Sequence, residues 1–267
     1  MDDYYKEDRM SASQFKDFLK CEKCALAKYR GEYVEEKTSA LMMGSYIDAY
    51  FSGEMGQFKK DNPEIFNSKT GALKSDYVKC EEIIKVIEKD EVLMKHLSGE
   101  HQVKVYGTIA GVPFKGKIDS YFPGKCIVDQ KIMKDLEPVW DEKSHSKKNI
   151  VDYWGYTIQG AIYRELVRQT TGYTLPFLLA ITTKEKTPRK ALLEIDSKDL
   201  DAALELVERL APRYQAIKEG KIQPTSCHNC DYCVSTTMLT GSFSYHILDP
   251  DYQKDEIEYW HLKYNAI

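Results

Sequence analysis

The feature that most constrains this chain is the reversal at Pro123-Gly124, set within GVPFKGKIDSYFPGKCIVDQKIMKD between two runs of alternating apolar and polar residues. Period-two alternation marks a half-buried strand and Pro-Gly is a strong turn signal, so the stretch is expected to form an antiparallel hairpin. With the loop centred on Gly124, Asp119 falls opposite Asp129 and Lys117 opposite Lys131, and all four side chains share one face. A two-residue loop would put the aspartates on opposite faces, so the expectation requires a loop of odd length. The other face would carry Phe114, Gly116, Ile118, Ser120, Val128 and Gln130. That set suits a core, except that Gln130 needs a hydrogen-bond partner.

Two facing carboxylates repel each other, which is relieved by protonating one of them or by a divalent cation between them. A hard cation such as Mg²⁺ takes oxygen ligands and keeps several waters. Lys131, two residues beyond Asp129 on the same strand, is placed to orient a water or offset charge developing on a phosphate. The plainer alternative is a surface hairpin whose solvent face is charged.

At 267 residues the chain can bury a substantial core, and no apolar run approaches the length of a membrane-spanning helix. The opening MDDYYKEDRM is charged and has no apolar segment, so a cytoplasmic protein is expected, with no membrane partner. The formal charge of -4 means that a nucleic-acid partner must meet a local patch. KSHSKK (143–148) and TTKEKTPRK (182–190) are the candidates, although such runs are commonly only solvated loops.

Ser11 with Gln14 three residues on reads as a capping box opening a helix with Phe15, Phe18 and Leu19 on its apolar stripe. Helices are expected over TSALMMGSYIDAYFSG, over YVKCEEIIKVIEKDEVLMKHL and over VDYWGYTIQGAIYRELVRQTTG, the last stopped at Gly172. HQVKVYGTIAG, LPFLLAITT and KALLEIDS read as strands, and SKDLDAALELVERLAPRYQAIKEG as a long helix. The order implies an α/β fold of the α+β type: a central mixed sheet of about five strands flanked by helices. A single domain is expected, with a helical part over about 11–98, a core over about 99–220, and a cysteine cluster and tail over 221–267.

Together, Asp119, then Asp129-Gln130-Lys131, then Gln159-Gly160-Ala161-Ile162-Tyr163 as a Q-x-x-x-Y element, resemble the PD-(D/E)xK nuclease superfamily. The likeness is to the RecB-like exonucleases and their phage relatives of the exodeoxyribonuclease VIII type. SASQFKDFLKC also resembles the N-terminal helix of that family, which ends in a cysteine. The resemblance implies a restriction-endonuclease-like core and a metal-dependent deoxyribonuclease, an exonuclease of phage-type recombination or DNA processing. A single-strand annealing recombination protein is the implied partner besides DNA. It further implies that Asp119 and Asp129 bind Mg²⁺ or Mn²⁺, that Lys131 positions the attacking water, and that Gln159 and Tyr163 contact DNA. Glu100 matches the acidic residue of the first strand. Asp48, after Gly44-Ser45, stands where relatives often carry a histidine metal ligand, and Gln130 and Ile132 depart from the usual pattern. The alternative is a catalytically inactive DNA-binding module that keeps the fold.

Seven cysteines without an evident secretory segment argue against a disulfide scaffold. Cys227, Cys230 and Cys233 form C-x-x-C-x-x-C, and Cys21 and Cys24 a second C-x-x-C. Thiolates at such spacing ligate zinc or an iron–sulfur cluster. Some RecB-like relatives bind a 4Fe-4S cluster through one N-terminal and three C-terminal cysteines, which Cys21 with Cys227, Cys230 and Cys233 resembles. Iron–sulfur is therefore expected ahead of zinc. Cys80 and Cys126 read as packed residues, and of the histidines His101, His145 and His228 only the last lies within a candidate site.

Overall fold

The computed structural model describes residues 3–141 and 144–238. The expected tail over 240–267 lies outside these residues. Five helices and a sixth short one precede the sheet: α1 (Ala12–Lys20), α2 (Glu22–Tyr29), α3 (Ser39–Phe51), α4 (Met55–Asp61), α5 (Ser75–Glu88) and α6 (Glu91–Leu97). As the capping box implies, Ser11 Oγ accepts the Gln14 backbone N–H at the start of α1. The single helix expected over 77–97 is instead α5 and α6. Asp90 breaks it, because its carboxylate accepts the backbone N–H groups of Val92 and Leu93 and so starts a new helix.

The strands β1 (Glu100–Ile109), β2 (Val112–Phe122) and β3 (Cys126–Met133) follow in a meander. Ala110 and Gly111 both have positive φ, which suits the tight reversal between β1 and β2. A short hairpin, β4 (Val139–Asp141) with β5 (Ser146–Lys148), and the turn of helix α7 (Ile150–Tyr153) lead into α8 (Tyr156–Thr171). The expected helix from 151 is broken at Gly155, whose φ of 62° is left-handed. Gly172 ends α8 as anticipated, its N–H bonded to the Arg168 carbonyl. Then come β6 (Phe177–Thr183), β7 (Lys190–Glu194), α9 (Ser197–Lys218) and the short α10 (Asp231–Thr236).

The main sheet runs in the order β1-β2-β3-β6-β7. Its β3–β6 pair is parallel and the other three pairs are antiparallel, so the sheet is mixed. The parallel pair requires a crossover. The chain makes it through β4, β5, α7 and α8, which lays α8 across one face of the sheet.

Each face buries its own apolar layer. One unites Phe15 and Phe18 of α1, Ile162 and Leu166 of α8, and Val207 and Tyr214 of α9 with Ile118, Phe177 and Ile181 of the sheet. The other packs Tyr46 and Ile47 of α3, Ile83 and Ile87 of α5, and Leu93 and Leu97 of α6 on Val128 and Ala180. Close helix–sheet contact depends on small residues: a Cβ on Gly160 of α8 would lie 2.4 Å from the Phe177 ring. Among the described residues no helix is long and apolar enough to cross a membrane.

Candidate active site

The Pro123-Gly124 reversal has a three-residue loop. Lys125 N–H donates to the Phe122 carbonyl and Gly124 has φ of 69°, as a turn with Pro then Gly at its centre requires. The register follows: Ser120, Tyr121 and Phe122 pair with Val128, Ile127 and Cys126. Extended by one residue, this places Asp119 opposite Asp129, as the sequence predicts.

There the β2–β3 ladder ends, while the opposite edge of β3 stays paired with β6 from Ile127 to Met133. The Asp119 carboxylate takes over the next link, its Oδ2 accepting the Gln130 backbone N–H at 2.9 Å. The expected pairing of Lys117 with Lys131 is therefore not formed; Lys117 pairs with Lys104 of β1. The strict alternation along β2 also fails. Val128 belongs to the α3/α5/α6 layer and Ser120 Oγ donates to the His96 carbonyl of α6, whereas Phe114 and Ile118 belong to the opposite core. The break falls at Asp119, opposite Gln102, whose φ of 54° interrupts the β1–β2 pairing. Gln130, which needed a partner, has a buried Nε2 with none among the described residues.

This notch is reached from both helical layers. Asp129 is 1% exposed. Its Oδ1 accepts the Gln159 side-chain amide of α8 at 2.6 Å. Its Oδ2 meets the Lys131 ammonium as a close, buried ion pair. From α3, Asp48 enters the same field, its Oδ1 accepting the Gln102 amide at 3.1 Å. Tyr163, one turn beyond Gln159, covers Gly116, where a Cβ would lie 2.9 Å from its ring. Tyr156 completes the α8 face, and the ammoniums of Lys131 and Lys16 each lie 5.5 Å from its ring centroid.

Burial, then the Asp129 charge, holds the Asp119 carboxyl well above its usual range, against the pull of Lys131. Burial also raises Asp48, opposed by Lys117 and Lys131. Burial would lower Lys131, but Asp129 and Asp119 outweigh it and hold the ammonium protonated. Burial raises Tyr163 as well, with Asp129 and Asp119 adding to it. Asp48, Asp119 and Asp129 thus share a desolvated notch with Lys131, and Lys117 and Lys16 act on it from its edges. Carboxylates facing one another in such a notch suit a divalent cation with oxygen ligands.

Asp48, Asp119, Asp129, Lys131, Gln159 and Tyr163 are brought together. Glu100 is not: it is exposed at the start of β1 and paired in register with Tyr121, on whose hydroxyl its charge acts. Sequence reasoning missed Tyr156 and Lys16. The first was legible, since Tyr156, Gln159 and Tyr163 recur on one helical face. Lys16 was not, because only the packing of α1 beside α8 brings it there.

The cysteines form a second group. The sulfurs of Cys21, Cys227, Cys230 and Cys233 all lie within 4.8 Å of one another. The extended backbone of Cys21 between α1 and α2 sets the first ligand, and Cys21 Sγ lies 3.5 Å from Cys233 Sγ. Burial pushes the Cys21 thiol up to about 12. Cys227 moves the other way, to about 7, because backbone N–H groups of Asn229 and Cys230 outweigh its burial. Four thiols gathered around one point are a donor set for zinc or an iron–sulfur cluster. His228 lies in the same loop with φ of 58° but is not one of the four.

Over residues 11–236 the chain matches the family described as a PDDEXK-like domain of unknown function (DUF3799). The crystal structure of a candidate exonuclease from Eubacterium rectale is 41% identical, with a TM-score of 0.86 over 91% of this chain and 94% of that one. A second solved structure, SSO0001, shares 14% identity over 90% and 96% of the two chains at a TM-score of 0.33. No curated protein matches the sequence. With the hairpin aspartates, Lys131 and the Gln159–Tyr163 face set in a five-stranded mixed sheet, the chain belongs to this PDDEXK-like family of the PD-(D/E)xK nuclease superfamily.

Proposed function

We propose that this protein is a metal-dependent deoxyribonuclease, an exonuclease hydrolysing DNA phosphodiester bonds. The observation that carries the reading is the buried Asp129 with one oxygen fixed by Gln159 and the other against Lys131, opposite an Asp119 that burial and Asp129 hold high. Asp119, Asp129 and Asp48 would hold Mg²⁺ or Mn²⁺, which supplies Lewis-acid stabilisation of charge on the phosphate. The chain's own contribution is positional. Gln159 fixes the Asp129 carboxylate, and Lys131 presents a permanent positive charge where an attacking water and a phosphate oxygen would meet. Tyr163 and Tyr156 close the α8 side and limit water in the notch. The similar protein from Eubacterium rectale, a candidate exonuclease, supports this reading.

Digestion of end-labelled DNA with Mg²⁺ or Mn²⁺ tests this directly. Lys131→Ala and Asp119→Asn are each expected to lower the rate by at least about a hundredfold while leaving the fold intact. A wild-type protein that binds DNA but releases no nucleotides with either ion would instead be a DNA-binding module on a nuclease fold.

We also propose that Cys21, Cys227, Cys230 and Cys233 hold a metal centre, an iron–sulfur cluster. A single zinc is the second reading, favoured by the short sulfur spacing, since a tetrahedral ion with bonds of about 2.3 Å sets its sulfurs roughly 3.8 Å apart. Elemental analysis of protein purified without oxygen separates iron from zinc, and finding neither removes both readings.

A further inference from the structure

Two of the three tryptophans lie half in solvent beside the catalytic notch. Trp140, on β4, is 49% exposed, and Trp154, between α7 and α8, is 44% exposed. Single exposed aromatic residues are ordinary, but two tryptophans opening onto one cleft make a patch that suits a contact site. The two line one cleft of about 500 Å³ with Lys16, Lys20, Tyr153 and Lys148. Two carboxylates line it too, and among the described residues Lys16 forms a salt bridge with neither. Asp141 is paired with Lys148 at 2.6 Å, and Asp152 accepts the Asn149 amide at 2.7 Å. The basic run noted at 143–148 contributes Lys148 to this cleft from the β4–β5 hairpin.

One residue links the cleft to the notch. Lys16 lines the cleft, donates to the Trp154 carbonyl at 3.2 Å, and shares the Tyr156 ring with Lys131. Aromatic faces interleaved with lysines are what binds an unpaired strand: each base offers a π-face and each phosphate a charge. A duplex keeps its bases stacked inside and offers such a cleft only phosphates.

We propose that the Trp140–Trp154 cleft is a base-stacking site for single-stranded nucleic acid, leading a strand past Lys16 to the Asp129–Lys131 notch. The proposal rests on the nuclease reading for its direction toward the notch, but binding does not require catalysis. It can therefore be tested without added divalent ion, with 15-nucleotide oligothymidylate and a blunt duplex of the same length. Trp260, the third tryptophan, lies outside the described residues, and Trp260→Phe removes its emission.

In that background oligothymidylate is expected to quench tryptophan fluorescence. Trp140→Ala and Trp154→Ala should each weaken its binding roughly tenfold. Trp140→Phe and Trp154→Phe, which keep a stacking face and the fold, should bind within about twofold of the parent. Duplex affinity should not change. The proposal is overturned if both alanine variants bind oligothymidylate like the parent, if the phenylalanine variants lose as much as the alanine ones, or if duplex affinity falls equally. Should the Trp dependence hold while labelled DNA survives Mg²⁺ and Mn²⁺, the nuclease reading falls and the strand site stands.

Discussion

Asp129 shows how single residues set the chemistry here. A carboxylate that is 1% exposed is held by one amide and one ammonium, so each partner has a measurable share. Gln159→Leu keeps much of the volume but leaves Asp129 Oδ1 buried without its donor. It should destabilise the protein by about 1–3 kcal/mol in urea unfolding, besides lowering activity. Lys16 gives a pH test with a definite sign. Burial first, then Lys131, lowers its pKa to about 8, while in the unfolded chain it titrates near the ordinary 10.5. Between those values the unfolded chain binds more protons, so this residue's contribution to stability rises with pH; below about 8 its charge is a constant penalty. The stability of wild type relative to Lys16→Met should therefore increase between pH 7 and pH 10. A difference that stays flat, or falls, contradicts the assignment.

At the scale of elements, the site depends on the parting of β2 and β3 and on how closely α8 lies against the sheet. Gly160→Ala should destabilise the protein by about 1–3 kcal/mol, seen as a lower unfolding midpoint, because its Cβ would meet the Phe177 ring at 2.4 Å. The hairpin was legible because Pro-Gly and period-two alternation are local signals, and they set the facing of Asp119 and Asp129. What followed was not local. The β2–β3 ladder stops before Lys117, where the Asp119 side chain takes the Gln130 N–H in place of backbone, and the left-handed Gln102 breaks the facing of β2. Asp90 and Gly155, which split two expected helices, were readable as an N-cap and a breaker but were outweighed by the apolar periodicity around them.

Across the whole molecule, the cysteine group joins the junction of α1 and α2 to the segment after α9. A ligand bound there would restrain a long stretch of chain, and Cys21→Ser should lower the thermal midpoint of metal-loaded protein and abolish metal retention together. The grouping of Cys21 with the later three was suggested by the resemblance to RecB-like nucleases, but only the fold shows their sulfurs converging. A mixed sheet of about five strands flanked by helices followed from the succession of elements, whereas the strand order and the cleft at Trp140 and Trp154 depend on a crossover that no local pattern announces. The central claim is that the notch holds a divalent cation against phosphate. Anomalous diffraction from a Mn²⁺-soaked crystal tests it most directly. A peak between Asp119 and Asp129 is the result expected; well-ordered hairpin carboxylates with no manganese between them would contradict it.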